Sequence, residues 1–73
     1  MKIITRSIYY CEEHDRFLFI KYCNYWNTSL TEIAKELNVS KSFLSAVLRG
    51  KKSVPQTLVK ELFNIIRYAD EKI

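Results

Sequence analysis

With one glycine, one proline and no low-complexity run, the chain of 73 residues has little room for long loops or an interdomain linker. So short a chain cannot divide its apolar side chains between two cores and keep both stable, so one domain spanning 1–73 is expected. Cysteine is also scarce. A secreted domain of this size would usually carry about 4 to 8 bridged cysteines, whereas here there are only Cys11 and Cys23. Histidine occurs once, at His14. Cys11, His14 and Cys23 fall short of the ligand set of a structural zinc site, so no metal is expected and both thiols are read as buried. No apolar run reaches the roughly 18 residues of a membrane span. The N-terminus lacks the basic, apolar, small-residue order of a signal peptide, and a cytoplasmic protein without a membrane partner is expected. Neither a glycine-rich phosphate loop nor a nucleophile and carboxylate set around His14 is present, which argues against an enzyme and against a cofactor.

Acidic residues are missing from one stretch altogether. Between Glu36 and Glu61 there is none, yet Lys41, Arg49, Lys51, Lys52 and Lys60 all lie there. The formal net charge is +4, so this third of the chain is strongly basic while the remainder is close to neutral. Charge confined in this way points to an anionic partner at that place.

What is abundant is apolar and aromatic: 48% and 14% of residues, enough for a folded domain rather than a disordered tail. The pattern predicts an all-α fold, a small bundle of four to five helices containing a helix-turn-helix, with a short strand or extended arm over 1–10. That arm is rich in Ile, Tyr and Thr and has no obvious strand partner in its own chain, so pairing with a second copy is one way to satisfy its edge. A first helix is predicted over 12–26, with Glu12, Glu13 and Asp15 at its positive end. Its apolar residues spread round most of its circumference, as in the central helix of a bundle or a subunit contact. A last helix is predicted over 54–70, capped by Ser53 and opened by Pro55, with an apolar arc from Leu58, Leu62 and Ile66 round to Phe63.

Between them lies a helix-turn-helix over 29–49. Ser29-Leu30-Thr31-Glu32 has the form of a capping box, and Ile33, Ala34 and Leu37 fall on one side of the helix it starts. Asn38 accepts the left-handed conformation that ends a helix, and Ser40 can cap the next one. In that second helix Phe43, Leu44, Val47 and Leu48 fill one sector. Lys41, Ser42, Ser45, Ala46 and Arg49 fall within about 140° of each other on the opposite side. Gly50 closes the helix, and Lys51 and Lys52 form a basic turn.

The run Thr31-Glu32-Ile33-Ala34-Lys35-Glu36-Leu37-Asn38-Val39-Ser40-Lys41-Ser42-Phe43-Leu44-Ser45-Ala46-Val47-Leu48-Arg49-Gly50 resembles the helix-turn-helix of the lambda-repressor-like (Cro/CI, XRE-type) family. The likeness extends over about residues 28–66. Leu30 departs from the glutamine that many members place there against phosphate, and Asn38 replaces their usual glycine. The resemblance implies binding of double-stranded DNA, with base reading by Lys41, Ser42, Ser45 and Arg49 in the major groove. Phosphate contacts fall to Ser40, Lys51 and Lys52, with Arg49 open to either role. It also implies a phage- or plasmid-type repressor. Because one such module buries little surface on DNA, a homodimer is expected, and no small-molecule effector. The alternative is a helix-turn-helix kept as a protein-interaction module, antitoxin-like or an accessory subunit. The wide apolar faces of the first and last helices favour it.

Overall fold

A computed structural model of the chain describes residues 2–5 and 8–73, with side chains from residue 8 onward. In chain order the elements are strands β1 (Lys2–Thr5) and β2 (Ile8–Tyr10), then helices α1 (Glu13–Trp26), α2 (Leu30–Glu36), α3 (Lys41–Leu48) and α4 (Gln56–Lys72). The fold is a small helical one, as the periodicity predicts.

The N-terminal segment departs from the expectation of a strand without a partner in its own chain. It is two short strands rather than one, and they pair antiparallel with Lys2 opposite Tyr10 and Ile3 opposite Tyr9. The register shifts between Ile3 and Thr5. The far edge of β2 is occupied as well, because the Val54 N–H donates to the Tyr9 carbonyl at 2.8 Å. Pairing with a second copy is therefore not needed to satisfy β2. The same bridge corrects the start of the last helix. Val54 is buried and held extended, so α4 begins at Gln56 with Pro55 at its N-cap, and Ser53 does not cap it.

Three of the helices end alike. Beyond α1, Asn27 has φ 52° and donates to the Asn24 carbonyl, while Thr28 donates to Cys23. Beyond α2, Asn38 has φ 60°, with Asn38 donating to Lys35 and Val39 to Ala34. Beyond α3, Gly50 has φ 75°, with Gly50 donating to Val47 and Lys51 to Ala46. Each is a left-handed closure that satisfies two carbonyls otherwise left open at a helix end. Gly50 is doubly constrained, since a Cβ there would stand 2.9 Å from the Cys11 carbonyl oxygen.

The core is assembled from one side of every helix. Phe19 of α1, Leu44 and Val47 of α3 and Leu62 of α4 are its most enclosed large side chains. Ile33 and Ala34 of α2 lie beside them, and Ala34 is small where the backbone turns back over it. Leu58, Leu62, Ile66 and Ala69 give α4 a narrower buried stripe than its sequence arc, leaving Phe63 47% exposed. Helix α1 turns only part of its apolar circumference inward. Leu18, Phe19 and Cys23 face the core, whereas Phe17, Ile20, Tyr25 and Trp26 are more than half exposed. Its last turn meets Tyr68 of α4 in an aromatic cluster, with Tyr22 edge-on to Tyr68 at 5.9 Å and Trp26 at the same centroid distance. At the other end of α1, the Glu12 N–H donates to the Asp15 carboxylate at 2.8 Å.

Both cysteines are free and buried. Burial first, and then the charge of Asp15, push the Cys11 thiol up to about 11, and burial followed by Glu32 raises Cys23. A thiol whose folded pKa lies above its unfolded value favours the folded state fully at pH below about 8.5 and loses that contribution as pH rises through the folded value. The alkaline fall in thermal midpoint between pH about 9 and about 11 should accordingly be shallower in Cys11→Ala than in the parent chain. Parallel curves would show that Cys11 does not contribute. For the turn, Gly50→Ala should lower the unfolding free energy by roughly 1–3 kcal/mol in urea titration. Asn38→Gly, which keeps the left-handed conformation without a Cβ, should leave it nearly unchanged.

Candidate nucleic-acid interface

Helix α3 starts where Ser40 caps it, the Ser40 Oγ accepting the Phe43 N–H at 3.1 Å. Leu44, Val47 and Leu48 are buried, and this fixes the rotation of the helix about its own axis. The opposite side therefore faces outward. Lys41 and Ser42 are exposed, Ser45 and Ala46 are half-buried, and Arg49 is exposed at the C-cap, one residue past the last helical one. The row Lys41, Ser42, Ser45 and Arg49 shares one side at helical spacing. With its side chains an α-helix is about 10–12 Å across, a cross-section that a major groove about 12 Å wide admits.

The start of α2 differs in detail from the expected reciprocal box. Ser29 Oγ accepts the Glu32 N–H at 3.2 Å, but the Glu32 carboxylate takes the Thr28 hydroxyl at 2.8 Å. Glu32 is thereby tied to the cap. Helix α3, unlike α1 and α2, has no acidic residue in its first turn. Its positive dipole end stands beside Lys41 with no compensating carboxylate on the same helix, a disposition that favours anions.

Past Gly50, Lys51 and Lys52 are both exposed. The Lys52 ammonium lies 5.7 Å from the centroid of the half-buried Phe43 ring. Such a contact is worth about 0.5–1 kcal/mol at an exposed site, and it draws Lys52 over α3 rather than leaving it free. Lys41, Ser42, Ser45 and Arg49 thus share the outward side, with Ser45 the most covered and Ser40 already occupied as a cap, while Lys52 lies over Phe43 in the other sector of α3.

One residue was missed. Beside Ser45 and Arg49 the surface forms a cleft whose lining includes Arg16, Ile20 and Cys23 of α1 and Leu30 of α2. Arg16, half-buried, thus brings a further cation to the end of the α3 row. Its signal in the sequence is the spacing Arg16, Ile20, Cys23, which puts the three on one side of a helix. That signal is masked by the apolar residues all round the same helix. Among the described residues no group of three or more His, Cys, Asp or Glu side chains is placed to hold a metal. His14 is exposed and stacks on Phe17 at 6.5 Å.

Comparison with protein-family models, with curated proteins and with solved structures finds no match to this chain.

Ser40 offers a test of what caps α3. Ser40→Ala should lower stability by about 1 kcal/mol, whereas Ser40→Asp, which retains an acceptor and adds a charge favourable to the dipole, should not. Chemical denaturation of the two variants side by side reads the difference, and equal losses would mean that the cap bond is not what matters there.

Proposed function

We propose that the chain is a sequence-specific double-stranded DNA-binding protein, a small transcriptional regulator of the phage or plasmid repressor type that lays α3 in the major groove. The observation that carries the reading is the outward row of Lys41, Ser42, Ser45 and Arg49, set in a stretch of chain that has no carboxylate between Glu36 and Glu61. Lys41 and Arg49 would donate to guanine acceptors, and the two serines would act as donor or acceptor to base edges. Ser40, Lys51 and Lys52 would hold phosphate and set the register, with Arg49 able to share that role. The resemblance of residues 28–66 to the lambda-repressor-like family supports the same assignment. It is a binding protein in this reading, not an enzyme, it works in the cytoplasm where its DNA lies, and no helix in the described chain is long and apolar enough to cross a membrane.

The active form is proposed to be a homodimer. Single modules bury only about 600–1,000 Å² on DNA, and half-sites one helical turn apart are about 34–36 Å from centre to centre. A chain measuring 34 × 26 × 18 Å can set two copies side by side at that separation.

Selection from random duplex DNA should recover an inverted repeat. On the recovered site, Lys41→Ala and Arg49→Ala should each cost about 1–3 kcal/mol of binding, or roughly 5- to 150-fold, with helical content unchanged. Lys51→Ala should weaken all sequences alike and lower the salt slope by about 1. A second reading, a protein-interaction module, is favoured by the exposure of Phe17, Tyr25, Trp26 and Phe63. In that case no duplex is enriched and no salt-dependent mobility shift is seen, which would sink the DNA assignment.

A further inference from the structure

The face that carries the proposed reading row is not polar throughout. The cleft beside Ser45 and Arg49 has a volume of about 240 Å³. Buried Phe19 and Leu48 make its floor, Ile20 and Leu30 its apolar walls, and Arg16 and Arg49 the cations beside them. Ile20 is 52% exposed, so the apolar surface continues out of the cleft along α1.

An apolar hollow of this kind is a poor match to a phosphate chain, which would either leave it unfilled or be desolvated against it. Size narrows the occupant further. Pockets for drug-sized molecules and cofactors run from about 300 to 1,000 Å³, and this one lies below that range. It is suited to one bulky aliphatic or aromatic side chain, the kind of anchor that dominates protein interfaces. Charge supplies the rest. Among the described residues no carboxylate lies within ion-pair distance of Arg16 or Arg49. Glu32, near enough to raise the Cys23 thiol, is engaged by Thr28. Two guanidinium groups flanking an apolar hollow complement carboxylates placed on either side of an inserted side chain, in the forked geometry that arginine favours.

We propose that this cleft docks an acidic segment of a partner protein, which inserts one bulky apolar side chain between Arg16 and Arg49 and excludes DNA while bound. The docking stands on the cleft itself. The exclusion rests on the DNA reading, since Ser45 and Arg49 belong both to the cleft lining and to the proposed reading row.

The test is a selection from a displayed library of random 12-residue peptides on the full chain, followed by fluorescence anisotropy with the recovered peptides. The expected consensus is a Leu, Phe or Trp with at least two Asp or Glu within four positions of it. Binding should weaken at least tenfold in Ile20→Asp, which puts a like charge at the mouth, and at least tenfold in Arg16→Glu. It should be unchanged in Trp26→Ala on the aromatic cluster. Circular dichroism of each variant establishes that the helices are intact, and Ile20 and Arg16, neither of them buried, give two independent routes to the same answer. Peptides lacking acidic residues, peptides insensitive to both substitutions or lost on Trp26→Ala, or no enrichment at all would overturn the docking. Where the chain binds its selected duplex, a cleft-bound peptide should displace it, and simultaneous occupancy would overturn the exclusion. Failure to bind any duplex would remove the DNA reading and the exclusion with it, while the peptide results decide the docking alone.

Discussion

Asn38 holds a positive φ, and through it the amide groups of Asn38 and Val39 reach back to the carbonyls of Lys35 and Ala34. That closed turn sets the direction in which the chain leaves α2, and so where α3 begins. Ser40 then caps α3 while Leu44, Val47 and Leu48 fix its rotation. The outward row depends on these two settings, direction and rotation. A small shift in either would turn Lys41 and Ser45 toward the core or away from their neighbours. The energies involved are modest, about 1 kcal/mol for a cap and roughly 1–2 kcal/mol for a left-handed residue. Apolar burial supplies the larger stabilisation, and the turn supplies the orientation.

The helix-turn-helix was legible because its determinants are local. Ser29, Asn38, Ser40 and Gly50 are residue types with a conformational meaning of their own, and the apolar residues between them follow one period. The N-terminal segment was not legible for the opposite reason. Its second strand is bridged at Tyr9 by Val54, which is far along the chain, and its two strands pair with each other without a glycine or asparagine in the sequence to mark a turn. The start of α4 was misplaced by the same contact, since Ser53 and Pro55 are plausible helix openers until Val54 is seen paired with Tyr9. Of the candidate surface, the α3 row could be read from spacing. Arg16 could not, because its place beside Arg49 is a product of packing between helices. Lys52 was read as a phosphate contact in a basic turn, and only the folded chain brings Phe43 beneath it.

Exposed apolar side chains are distributed unevenly, and this shapes how the molecule can associate. Phe17 and Ile20 lie on α1, Tyr25 and Trp26 close its last turn, and Phe63 stands out from α4. The aromatic cluster with Tyr68 is held by its own edge-to-face contacts, so its rings are already positioned against each other. Aromatic pairs of this kind contribute about 0.5–1.5 kcal/mol beyond their burial, and they leave one broad side of Tyr25 and Trp26 to solvent. The cleft near Arg16 differs in character, being concave and flanked by cations. Two surfaces of such different chemistry suit different partners.

The chain between Gly50 and Val54 runs from one anchorage to another. Gly50 packs against the carbonyl of Cys11, and Val54 is bonded to that of Tyr9, so the span bearing Lys51 and Lys52 is moored at both ends to the N-terminal segment. The two ammonium groups consequently ride on backbone that was ordered when the protein folded. An anion arriving there meets a loop with little freedom left to surrender, and the entropic penalty that mobile basic tails incur on capture is largely absent from this corner of the molecule.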